Sequence, residues 1–128
     1  MRLSRRSGFS LIELVIACTI IGILAAIGVP NYHKTKGKAA AASMKNDLHT
    51  LVTAQEAYFG TNGTYSSNLA ALNVDMSRGV SITWGTVNAQ GWSAVTRHPN
   101  ADPLECAIFF GNVAPLAPAI SEGVLRCQ

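Results

Sequence analysis

The chain has 128 residues, room for one domain with an attached segment. Its apolar share is 48%, and most of the excess falls in the first thirty residues, so about a hundred remain for a part with a modest core. The formal charge of +3 is an effect of position: Arg2, Arg5 and Arg6 precede the apolar run. Beyond Gly8, seven basic residues (Lys34, Lys36, Lys38, Lys45, Arg78, Arg97, Arg126) face seven acidic ones (Glu13, Asp47, Glu56, Asp75, Asp102, Glu105, Glu122). That balance offers no electrostatic footprint for nucleic acid, and such a partner is not supported.

In chain order, residues 1–8 are basic, end in Gly and read as a processing and orientation signal. Residues 9–29 are apolar apart from Ser10, Glu13 and Thr19. About 20 apolar residues span a bilayer as a helix. This run reaches that length and exceeds the roughly 7–15 of an ordinary secretory signal. Pro30 is a residue that ends or kinks a helix, yet helical composition resumes beyond it. Residues 34–43 carry Lys and Ala with no large apolar side chain, which predicts a solvated stretch. From Met44 onward, Met44, Leu48, Leu51, Val52, Gln55, Tyr58 and Phe59 form a stripe on one face. Lys45, Asn46, Asp47, His49, Thr53 and Glu56 take the solvated side. Gly60 and Asn62-Gly63 predict the stop. Continuous from residue 9 to 59, the helix would be about 75 Å long, too long for a small domain to bury. Its first half calls for lipid or other subunits.

Residues 66–72 predict a short helical turn. Alternation over residues 80–84 predicts a strand, with two more at 91–97 and 106–110 and a fourth at 124–127. The fold class is α+β: a long N-terminal membrane-spanning helix whose C-terminal half packs on a small antiparallel sheet. The expected divisions are a leader (1–8), a membrane or filament-core half-helix (9–30), an amphipathic half-helix (31–60) and a globular sheet domain (61–128).

Cys18 lies in the apolar run and reads as a small hydrophobe. Cys106 and Cys127 form a pair which, in an exported small domain, reads as a disulfide; free or metal-bound thiols are the alternative. His33, His49 and His98 show no ligand spacing. Asp102 and Glu105 are too few for a calcium loop, and Ser66-Ser67 lack a His-acid partner for nucleophilic catalysis. No enzymatic activity, metal or cofactor is expected. Asn62-Gly63-Thr64 fits a glycosylation acceptor, where a turn is expected anyway.

Residues 8–32, GFSLIELVIACTIIGILAAIGVPNY, closely resemble the N-terminus of type IV pilins and type II secretion pseudopilins. The matching features are Gly8 before Phe9, Glu13 as fifth residue after the cut, Gly22, and the Val29-Pro30-Asn31-Tyr32 ending. Residues 58–72 share that likeness less specifically. The resemblance implies cleavage between Gly8 and Phe9 by a membrane prepilin peptidase and methylation of the new Phe9 amine. It implies a single-pass subunit in the inner membrane, N-terminus cytoplasmic. A platform protein and an ATPase would extract it into a filament of its own copies or related pilins. It also implies a C-terminal loop bounded by a Cys106–Cys127 disulfide, and local melting from Gly22 to Pro30 in filaments, which Gly22, Gly28 and Pro30 make cheap.

Glu13 has a physical logic of its own. A carboxyl in an apolar span is costly and marks function by default. It sits four residues after Phe9, on the same helical face. A buried charge needs a partner, and the amine exposed by cleavage is the natural one; snorkelling to the headgroups is the plainer reading. The expected function is a structural subunit of an extracellular type IV pilus. The alternatives are a periplasmic type II secretion pseudopilin or a signal-anchored domain that never polymerises. Charge counting does not set the orientation, because three Arg before the span tie with Lys34, Lys36 and Lys38 after it.

Overall fold

The computed structural model describes residues 8–128. Most of the expected leader, with Arg2, Arg5 and Arg6, lies outside the described residues. The chain divides into two compact units between Thr35 and Lys36.

Helix α1 runs over Leu11–Asn62, 52 residues. Its ends follow from local chemistry. Ser10 stands at the N-cap position, and its backbone N–H donates to Glu13 Oε2 at 3.4 Å, one half of a capping box. At the other end Gly63 adopts φ +67°, and its N–H donates to Phe59 O at 2.8 Å. That is a left-handed C-terminal cap, which glycine adopts at little cost. The helix continues through Gly22, Gly28 and Pro30.

In the second unit, α1 is followed by turns and four antiparallel strands: β1 (Ser81–Asn88), β2 (Gly91–Arg97), β3 (Glu105–Gly111) and β4 (Arg126–Cys127). They form a meander in the order β1-β2-β3-β4. Register pairs Trp84 with Ala94, Ala94 with Ile108, and Cys106 with Cys127. Strand β1 is longer than residues 80–84 because a bulge between Trp84 and Val87 lets pairing resume. The bulge holds Gly85, where a Cβ would lie 2.3 Å from Ser93 Oγ. Within residues 66–72 a single helical turn is closed where Leu72 N donates to Asn68 O at 3.1 Å. The Asn68 side chain accepts from Ala70 N and holds the backbone there.

One face of the sheet packs on the helix. Met44, Leu48 and Leu51 are fully buried with Trp92, Ala94, Cys106 and Ile108. Each large aliphatic side chain so buried contributes about 1.5–3 kcal/mol. Trp92 stacks on Phe110 at 5.7 Å and meets Trp84 edge-on at 6.3 Å. The opposite face is also covered. Val95, Ala107 and Phe109 form a second cluster with Ala119, against which Val113 and Leu116 pack from the C-terminal loop. The sheet is therefore sandwiched between helix and loop.

Three expectations are corrected here. Burial on the helix starts at Ala40, ahead of Met44. Gly37 and Ala40 are small enough for the β2–β3 connection to come close: a Cβ on Gly37 would lie 3.2 Å from Asn100 O. Asp47 is buried rather than solvated. Its carboxylate accepts from Ser77 N and from Ser77 Oγ, both at 2.8 Å, and so ties the helix to the loop before β1. Strand β4 is shorter than residues 124–127, because Val124 N turns back to Ser121 O and Gly123 N donates to Phe109 O. Gln55, in the expected stripe, clamps the next loop: it donates to Ser66 O at 2.6 Å and accepts from Ser66 N at 3.0 Å.

Asp47→Ala removes a carboxylate that satisfies two donors. The expected loss is about 2 kcal/mol in urea unfolding, since hydrogen bonds to charged groups contribute about 1.5–3 kcal/mol. Asp47→Asn, which keeps an acceptor, should lose less. An Asp47→Ala midpoint equal to the parent's would contradict the clamp.

Candidate assembly site

The first unit is the N-terminal part of α1 and the residues before it. Gly8, Phe9 and Ser10 precede the helix and are exposed. The apolar side chains that follow are exposed as well, from 49% at Val15 to 80% at Leu11, with Phe9 at 75%. The helix meets the length and composition needed to cross a membrane, and its most apolar 18-residue window is wholly unburied. Such a surface is unfavourable in water, so lipid or protein must cover it.

Glu13 is the acidic residue of the first helical turn. The N-terminal end of a helix is where a carboxylate is best tolerated, because unsatisfied N–H groups and the helix dipole both favour negative charge. Its bond from Ser10 N holds it over that turn. Around Gly22 and Gly28 a Cβ would meet nothing within 4 Å. Cys18 is a free, exposed thiol in the span.

The second unit holds the remaining sites. Cys106 and Cys127 are bonded to each other across β3 and β4, 21 residues apart in sequence. Glu105 and Gln128 exchange N–H···O bonds at 2.9 and 3.0 Å, so the neighbouring cysteines occupy a non-hydrogen-bonded pair. Such pairs bring Cα atoms closest, here 4.0 Å apart. Between them, residues 112–125 fold over the outer face of the sheet, pinned where Glu122 Oε1 accepts from Gly111 N at 2.7 Å.

Of the residues weighed for metal or catalysis, Glu105 and His98 have structural partners. Glu105 pairs with Arg97 at 2.6 Å. His98 Nδ1 accepts from Asn100 N at 3.0 Å, and its Nε2 lies 3.2 Å from Arg78 O. Tyr65 stacks on Phe59 at 4.7 Å, and its hydroxyl donates to Glu56 Oε1 at 3.3 Å. Burial first, and then the Glu56 carboxylate, hold the Tyr65 phenol above its ordinary pKa. Sequence reasoning missed the Asp47–Ser77 clamp and the outer loop layer. The apolar spacing of Val113, Leu116 and Ala119 is the signal that could have found the layer.

The first unit thus presents a long exposed apolar helix preceded by Gly8 and Phe9, with Glu13 in its first turn. Residues 3–29 match the family described as the prokaryotic N-terminal methylation motif. The chain is 45% identical over 62 residues to the type IV major pilin protein PilA of Myxococcus xanthus, a stretch covering 48% of this chain and 28% of that one. It is 43% identical over 65 residues to the type IV wide pilus major component PilA4 of Thermus thermophilus, covering 51% and 50%. It is 34% identical over 73 residues to the type II secretion system core protein G of Aeromonas hydrophila, covering 57% and 51%. The matches thus span about half or less of these relatives' own lengths. The chain's N-terminal part carries the prokaryotic N-terminal methylation motif, and the chain is similar to type IV pilins and to type II secretion core proteins.

Proposed function

We propose that this chain is a structural subunit of a type IV pilus, cut between Gly8 and Phe9 and assembled through α1. The observation that carries the reading is the exposed apolar face of the first unit with Glu13 set in its first turn. Before assembly, lipid of the inner membrane covers that face; in the filament, the same segment of neighbouring copies does. The prepilin peptidase releases the leader and methylates the Phe9 amine. Glu13 of one subunit docks on the Phe9 amine of another, so cleavage creates the counter-ion. A platform protein and an assembly ATPase supply the extraction step. In the packed filament Gly22 and Pro30 allow the helix to open locally, because glycine is flexible and proline removes a donor.

The likeness to core protein G supports a second reading, a pseudopilin of type II secretion with the same processing. The C-terminal cysteine pair favours the pilus reading, as in many pilins. Mass spectrometry of the mature chain tests both at once. The expected N-terminus is methylated Phe9; a start elsewhere would overturn processing and assembly together. Probing sheared surface filaments for this chain then separates the two: presence on the cell exterior supports a pilus, confinement to the periplasm a pseudopilus.

A further inference from the structure

Strand β1 is an open edge of the sheet and lies wholly within the second unit. Register shows which of its backbone groups face outward. Glu105 exchanges bonds with Gln128, so its N–H and C=O point toward β4. Its neighbour Cys106, and every second residue of β3 from there, therefore point toward β2. The pairings Thr96–Cys106 and Ala94–Ile108 turn Thr96 and Ala94 toward β3. Their partners on β1, Ile82 and Trp84, are left with N–H and C=O groups directed away from the sheet. Among the described residues, none hydrogen-bonds to these outward groups.

Proteins usually blunt such an edge with charge, proline or a very short strand. Strand β1 has eight residues, SITWGTVN, with no charged residue and no proline. Its members Ile82, Thr83, Trp84, Thr86 and Val87 are of the β-branched and aromatic types that favour pairing. The bulge at Gly85 interrupts it but leaves Ser81–Trp84 in regular register. Ser81 and Thr83 are exposed, Ile82 and Trp84 half-buried. The outward groups are also self-complementary. Set a second copy antiparallel about a two-fold axis at Thr83, and the N–H and C=O of Ile82 meet the C=O and N–H of the second copy's Trp84, and the reverse. Every outward group of that stretch then gains a partner. Ile82 faces the other Trp84 on one side of the sheet, a β-branched and aromatic pair, and Thr83 faces Thr83 on the other. An uncharged strand sets no like charges against each other in this register.

We propose that β1 pairs with β1 of a second copy of this chain, antiparallel and centred on Thr83. The contact is isologous and closes on itself. It joins copies two by two and does not by itself extend a filament, so it is separate from assembly through α1.

The test uses the full chain in detergent micelles, with Cys18→Ser so that the exposed thiol of the span does not react. Under mild oxidation Thr83→Cys should form a disulfide between copies about tenfold faster than Ser81→Cys. In the paired state the two Thr83 Cα atoms lie about 4.5 Å apart, within disulfide reach, whereas the two Ser81 Cα atoms are about 13 Å apart along the strand. Charge probes the same register by sedimentation velocity. Thr83→Lys and Thr83→Glu should each weaken pairing about fivefold, and an equal mixture of the two should restore it as a mixed pair. Association through the span is common to all these chains and cancels in the comparison. Both positions are exposed, so the substitutions leave the core untouched. A Thr83→Cys rate no greater than that of Ser81→Cys, or association that the Lys and Glu variants leave unchanged, would overturn the proposal.

Discussion

Glu13→Val is expected to cut the yield of sheared filaments about tenfold or more, while cleavage after Gly8 and insertion in the membrane continue. Two effects act in the same direction. Valine removes the only carboxyl from residues 9–29 and so stabilises the membrane-embedded subunit, since a carboxylate in hydrocarbon is costly. It also removes the group that would pair with a neighbour's Phe9 amine. In the free chain the Glu13 carboxylate takes a hydrogen bond from Ser10 N, one residue beyond Phe9. It is thus held over the turn nearest the amine that cleavage would expose. The globular unit does not depend on this residue, so its thermal transition should match the parent's. A Glu13→Gln variant tests charge against shape: it keeps an acceptor for Ser10 N but not the ion pair, and should also assemble poorly. Parent-level filaments from Glu13→Val would leave the carboxyl as a side chain that merely snorkels to the headgroups.

The second large effect is on stability. Replacing Cys106 and Cys127 together by Ser should cost about 3 kcal/mol, the loop-closure value for cysteines 21 residues apart. For a unit of about a hundred residues that corresponds to a fall of roughly 12–24 °C in Tm. The reason lies in how little else holds the C-terminus. Strand β4 has two residues, Arg126 and Cys127, supported by the paired bonds between Glu105 and Gln128. The loop between the cysteines covers Val95, Ala107 and Phe109, so loosening its end uncovers apolar surface on the outer face of the sheet. Thermal scans of the double variant, and of the parent under reductant, should agree. A shift of less than about 3 °C in both would show that the loop is held by its packing alone.

The two experiments address the two units separately. One asks what the exposed helix does between molecules, the other what keeps the sheet domain folded. If each variant disturbs only its own unit, assembly and domain stability rest on separate parts of the chain.

Much of this protein was legible because its signals are local. The apolar run and the cap at Asn62-Gly63 each depend on residues that are neighbours along the chain. Strands β2 and β3 were legible for the same reason, as short runs rich in apolar residues. The tertiary structure alone decided what lies on the far side of a contact. Asp47 reads as a solvated helix residue until Ser77, thirty positions away, arrives with two donors. Strand β2 alternates like a half-exposed strand, yet residues from Trp92 to Thr96 are all buried. Its polar members survive there because Ser93 Oγ accepts from Thr86 N and Thr96 Oγ1 donates to Cys106 O. A pattern along one strand records which side chains are polar. Whether a polar side chain meets water or a partner depends on segments that only folding brings together, here the loop that the disulfide ties across the outer face.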